Sequence, residues 1–227
     1  MKKKKESQMQ ISHRMEISDN IVELFHNKRY EKYVLEIMNI STTIFPEKYE
    51  YVTNQSNGEC DFIEVNTGIK YDAKIPFYPN QIEMLTSGKK HQPQIIEWIQ
   101  MMHDEAAEFD EVIKSSQRTL DVSGLKLYEL MKEQIVKDKL DENIVFFLPY
   151  PIILSVNGSM FMQFAANYLN SIYTQLEKEI DLKGRSIFVI FPSSRKNEFA
   201  IKNMKSYYTE YIQYDKMNEY FSYEMYI

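Results

Sequence analysis

The sequence predicts an α/β fold, a mixed sheet with an antiparallel meander and parallel crossover strands flanked by helices. Three observations carry this. Apolar residues alternate through "YEYVTN", "DFIEV" and "IKYDAKIPF", with the turn clusters "QSNGE" and "NTG" between them, which reads as three consecutive antiparallel strands. Two later runs, "NIVFFLP" and "SIFVIFP", are almost continuously apolar, as strands are when both their faces are covered. Each of those runs follows a helical pattern, the arrangement of a parallel crossover.

Taken in order, Lys2–Lys5 make residues 1–20 a flexible basic N-terminus, a solvated arm and not a signal peptide, because no apolar stretch follows it. The core spans 21–203. Residues 18–42 carry helical spacing: Ile21, Leu24 and Phe25 form the first apolar stripe, and Tyr30, Tyr33, Val34, Ile37 and Ile40 continue it at three- and four-residue steps until Pro46 ends it. The meander follows. From Asn80 to about Lys139 the pattern is helical again, with Gly124 a break. The first buried strand comes next, then a long helix capped by Ser159 and closed before Gly184, then the second buried strand. The segment 204–227 is Tyr-rich; Tyr207, Tyr208, Tyr211 and Tyr214 recur at steps that suit a helix face packed on the core or on a partner subunit.

Composition narrows the function classes. The chain has 227 residues, 44% of them hydrophobic, enough for one domain with a sizeable core. Cys60 is the single cysteine, and His13, His26, His91 and His103 never fall at zinc-binding spacing, so disulfides and zinc sites are not expected and a reducing cytoplasm is. The longest apolar runs are too short and Pro-interrupted to span a bilayer, so no membrane partner is expected. A net charge of −6 gives no general attraction to nucleic acid, although Lys and Arg gathered on one face would still bind it. Walker and Gly-x-Gly-x-x-Gly loops are absent, and Gly158-Ser159-Met160 lacks the second glycine of a nucleophile elbow. Lys89-Lys90 and Arg195-Lys196 read as solvated loop charges.

The carboxylates of the meander are the candidate chemistry. Chance supplies roughly three or four acid-x-base tripeptides in a chain of this composition, so the pattern alone carries nothing. Of the two acid-x-Lys matches, Asp181-Leu182-Lys183 lies in a turn after a helix, whereas Asp72-Ala73-Lys74 lies in a strand one hairpin after Asp61. Residues i and i+2 of a strand share a face, so Asp72 and Lys74 point the same way. Phosphodiester hydrolysis needs a metal to activate water and a cation against the charge growing on phosphorus. Mg²⁺ accepts two carboxylates and a backbone carbonyl and keeps several waters. Register decides whether Asp61 joins in. A two-residue Asn66-Thr67 turn sets Asp61 opposite Asp72; a three-residue loop sets it opposite Ala73, on the wrong face unless a bulge restores parity. The bland alternative makes all three residues hairpin charges. Glu64 and Lys70 read as plain solvent charges.

With this motif in this order of elements, the segment from about residue 28 to 150 resembles the PD-(D/E)xK (restriction-endonuclease-like) nuclease superfamily. In that family an aspartate opens the second strand of a meander and (Asp/Glu)-x-Lys lies on the third. The resemblance implies that Asp61 and Asp72 are catalytic residues and the metal ligands, that Mg²⁺ is the cofactor with Mn²⁺ as substitute, and that Lys74 orients the attacking water. Some members add an acid on the first helix and a Gln after the lysine strand. Glu36 matches the former, with Glu31 and Glu23 as competitors, and Gln81 the latter. Cys60 stands where many members have Pro. The implied function is a Mg²⁺-dependent endonuclease acting on DNA, as a homodimer or as a subunit of a larger complex. The alternative is a non-catalytic interaction subunit of a DNA-processing or defence complex that retains the fold.

Overall fold

The computed structural model describes residues 24–52, 60–76, 118–138, 142–148, 158–193, 195 and 197–215. Helix α1 is Arg29–Ile40, α2 is Arg118–Lys137 and α3 is Gly158–Glu179. The strands are β1 (Tyr49–Tyr51), β2 (Phe62–Glu64), β3 (Lys70–Lys74), β4 (Asn143–Phe147), β5 (Ile187–Pro192), β6 (Glu198–Asn203) and β7 (Thr209–Gln213). All seven join one sheet, in the spatial order β1-β2-β3-β4-β5-β6-β7. β1, β2 and β3 form the expected antiparallel meander, β3, β4 and β5 run parallel, and β5, β6 and β7 are antiparallel again.

Each face of the sheet has its own core. On one face α1 lays down Tyr30, Val34, Ile37 and Met38 against Phe45, Phe62, Tyr71, Val145, Phe147 and Ile190. On the other, Leu127, Met131 and Ile135 of α2 and Leu169, Ile172 and Leu176 of α3 cover Ile144, Phe146, Val189 and Phe191. The apolar runs of β4 and β5 are explained by this: alternate residues of one strand feed opposite cores, so no position is left for water.

The tyrosine spacing of the tail suits a helix. The structure corrects this: Thr209–Gln213 is the strand β7. Tyr207, Tyr208 and Tyr211 are exposed while Tyr214 is buried. Strand β6 has no counterpart in the sequence reading. Its inward positions include Glu198 and Lys202, both buried, and these charges break the apolar pattern by which β4 and β5 are recognised. Gln81, His91, His103 and Lys89-Lys90 lie outside the described residues, as do Lys2–Lys5. Among the described residues no helix is long and apolar enough to cross a membrane.

Candidate metal centre

The β2–β3 hairpin sets the register on which the site depends. Phe62 pairs with Tyr71 and Ile63 with Lys70, the register of the first alternative as far as Phe62. The turn is built by Gly68, whose φ of 73° suits a residue without Cβ and whose N–H donates to the Glu64 carbonyl at 2.9 Å. At the other end of β2 the ladder bends. The Asp61 N–H donates at 3.0 Å to the Tyr71 carbonyl, one residue off the register, so Asp61 and Phe62 both face Tyr71 as in a β-bulge. The Asp61 side chain then takes the place of the ladder and accepts from the Ala73 N–H at 2.8 Å.

Asp61 and Asp72 therefore meet, their carboxyl groups within hydrogen-bonding reach of each other. Burial, then the neighbouring Asp72 and Glu31, push the Asp61 carboxyl up to about 8, against the one opposing contact, the Ala73 N–H. Tyr71 and Ala73 turn into the core beneath α1, so Asp72 and Lys74 project from the opposite face of β3. The Lys74 ammonium donates to Asp72 Oδ2 and lies 3.4 Å from Asp138 Oδ2, just past the end of α2. Burial alone would lower the Lys74 pKa; the charges of Asp72 and Asp138 outweigh it and raise it.

Helix α1 brings a further acid, and it is Glu31. Its charge acts on Asp61 and on the buried Tyr30 hydroxyl, and Lys28 Nζ reaches it at 2.9 Å. Lys28 itself stands at the N-cap of α1 with φ 57°, a left-handed conformation that costs a non-glycine residue about 1 kcal/mol or more. Glu36, five residues on, accepts from the Tyr214 hydroxyl and lies 3.9 Å from Lys32. Buried Tyr30, Val34, Ile37 and Met38 fix the rotation of α1, and the sequence spacing alone does not say which of its acids that rotation turns to the hairpin.

Sequence reasoning missed three more charges here. Asp138 lies between Lys74 and Arg185, whose Nη1 is 3.9 Å from Asp138 Oδ2. Glu142, just before β4, is buried with Oε2 lacking a hydrogen-bond partner, and burial followed by the charges of Asp72 and Asp138 raises its pKa. The buried Cys60 thiol is pushed up by burial and then by Glu142. Glu64 is no solvent charge: it is buried, and Thr67 Oγ1 donates to it at 2.6 Å and the hydroxyls of Tyr49 and Tyr71 at 3.4 Å each. The other acid-x-Lys match does sit in a turn, where Asp181 Oδ1 accepts from the Lys183 N–H.

The donor chemistry at Asp61 and Asp72 fits a hard divalent cation. A buried carboxyl, Asp61, and a half-buried one, Asp72, act on each other, and their mutual repulsion is relieved by a proton or by a metal. Among the described residues no three His, Cys, Asp or Glu side chains group to hold a metal ion. Comparisons with family models, curated proteins and solved structures returned no match to this chain.

Proposed function

We propose that the chain is a Mg²⁺-dependent nuclease of restriction-endonuclease-like fold that hydrolyses phosphodiester bonds, with DNA as substrate. The observation that carries this reading is the meeting of the Asp61 and Asp72 carboxyl groups with the Lys74 ammonium on Asp72. The succession of α1, the β1–β3 meander, α2 and the parallel strand β4 supports the fold assignment.

Asp61 and Asp72 would hold the cation, and their oxygen donors suit Mg²⁺ with Mn²⁺ as substitute. Bound there, it would supply Lewis acidity and lower the pKa of water. The remaining work falls to the protein. The Ala73 N–H fixes Asp61, Lys74 orients water and opposes the charge developing on phosphorus, and the exposed Lys28 attracts the nucleic-acid backbone.

The test is calorimetric titration of Mn²⁺ into the wild-type chain and into Asp72→Ala, with plasmid cleavage by both. Binding and cleavage that vanish together in the variant uphold the reading. A net charge of −6 favours a second reading, the non-catalytic interaction subunit, for which plasmid stays intact under every metal condition.

A further inference from the structure

Behind the candidate metal centre the charges alternate in sign along a line: Asp72, Lys74, Asp138, Arg185. Lys74 Nζ rests on Asp72 Oδ2 and is 3.4 Å from Asp138 Oδ2, and Arg185 Nη1 is 3.9 Å beyond. The last two members are the most deeply placed, with side chains 4% exposed for Asp138 and 3% for Arg185. Arg185 is itself anchored, since its Nε donates to the Leu182 carbonyl at 3.1 Å and Nη2 to the Ile135 carbonyl at 3.4 Å in the last turns of α2. Gln134 adds a second tie, donating to the Ile75 carbonyl just past β3 at 2.5 Å. The end of α2 is thus fastened over the lysine strand, and Asp138 is held still with Arg185 behind it.

Asp72 has two claimants. Its carboxylate receives the Lys74 ammonium, and the reading above gives the same carboxylate to a divalent cation. A doubly charged ion at Asp61 and Asp72 repels Lys74, and a largely buried ammonium left without a carboxylate would be costly. The geometry points to Asp138 as a positioning residue that takes over the Lys74 ammonium when a divalent cation claims Asp72. Arg185 keeps Asp138 in place for that exchange, and Lys74 stays charged beside the cation without competing for its ligand. This inference rests on the metal reading of Asp61 and Asp72.

The exchange is tested by Mn²⁺ affinity, independently of cleavage. Calorimetric titrations are made on wild type, Asp72→Ala, Asp138→Asn, Lys74→Met and the double variant Asp138→Asn/Lys74→Met, with circular dichroism to confirm folding. Asp138→Ser serves as the second charge-removing variant if the asparagine chain does not fold. With Asp138 neutral, Lys74 has only Asp72, so Mn²⁺ affinity falls about tenfold or more. With Lys74 also removed, affinity returns to within about threefold of Lys74→Met alone. A fall that the lysine substitution does not rescue makes Asp138 a structural residue or a ligand and overturns the exchange. Unchanged affinity in Asp138→Asn overturns it too. Absence of Mn²⁺ binding in wild type overturns the metal reading itself and the exchange with it, an outcome distinct from binding that needs Asp72 and ignores Asp138.

Discussion

The backbone N–H of Ala73 donates to the Asp61 carboxylate at 2.8 Å, so an acid from one strand is fastened to the strand that carries Asp72 and Lys74. The bulge at Asp61 makes this possible: the strand bends, and a side chain continues where backbone pairing stops. Sequence and fold converge at that point.

Glu31 and Glu36 face different partners on α1. Glu31 acts on Asp61, whereas Glu36 is engaged by Tyr214. Under the nuclease reading, Glu31→Gln lowers plasmid cleavage by about tenfold or more, and Glu36→Gln by less than about threefold. Initial rates at saturating Mg²⁺ check this, and the reverse ranking would return the helix acid to Glu36.

Glu210 binds the loop after α1 to the last described strand. Its carboxylate accepts from Ser41 Oγ at 2.6 Å and from the backbone N–H groups of Thr42 and Ile44 at 2.8 Å each. Burial alone would raise its pKa; these donors outweigh it and lower it. A carboxyl lowered in the folded state stabilises above its unfolded pKa, and that stability is lost as pH falls through the folded value. Glu210→Gln therefore costs about 1–3 kcal/mol at pH 7 and little at the acid end, measured by urea unfolding across pH.

Lys202 is fully buried in β6, its ammonium donating to the Ser206 carbonyl at 2.5 Å. Burial lowers its pKa to about 8. The unfolded chain then binds the extra proton between about pH 8 and 10, so this group's cost to folding is full below pH 8 and fades above it. Lys202→Met is expected to stabilise by up to about 3 kcal/mol at neutral pH, with the gain shrinking toward pH 10. Thermal unfolding of both chains across that range reads it directly.

Phe45 is the centre of the aromatic cluster beneath α1. Its ring lies 4.7 Å from Phe188, 5.6 Å from Tyr49 and 6.1 Å from Tyr71, and it is wholly buried. Phe45→Ala should cost about 3–5 kcal/mol, seen as a lower urea midpoint with the slope unchanged.

Much of the centre of this sheet was legible because its patterns are uninterrupted. The meander announces itself by alternation and by Gly68, and β4 and β5 by apolar runs that only a strand covered on both sides requires. The hairpin register was legible only as two alternatives, since turn preference does not distinguish them and the bulge at Asp61 depends on contacts across strands. β6 was hidden by its own buried charges, Glu198 and Lys202, and β7 by tyrosines whose spacing imitates a helix. Asp138, Glu142 and Arg185 are dispersed in sequence and are brought beside Asp72 or Lys74 by two crossovers, which no local pattern encodes. Glu64 looked solvated because a charge in an alternating strand usually is; the hydroxyls of Tyr49 and Tyr71 reverse that.

The strands follow one another across the sheet in the order in which they follow one another along the chain. The strands that carry Asp61 and Asp72 are therefore made before the segments that carry Asp138 and Arg185. The nascent chain passes through a stage in which its acids are crowded and the buried arginine that steadies them does not yet exist. Until then the counter-charges beside these acids are those of Lys28 and Lys74, with a shared proton or a free cation to make up the rest.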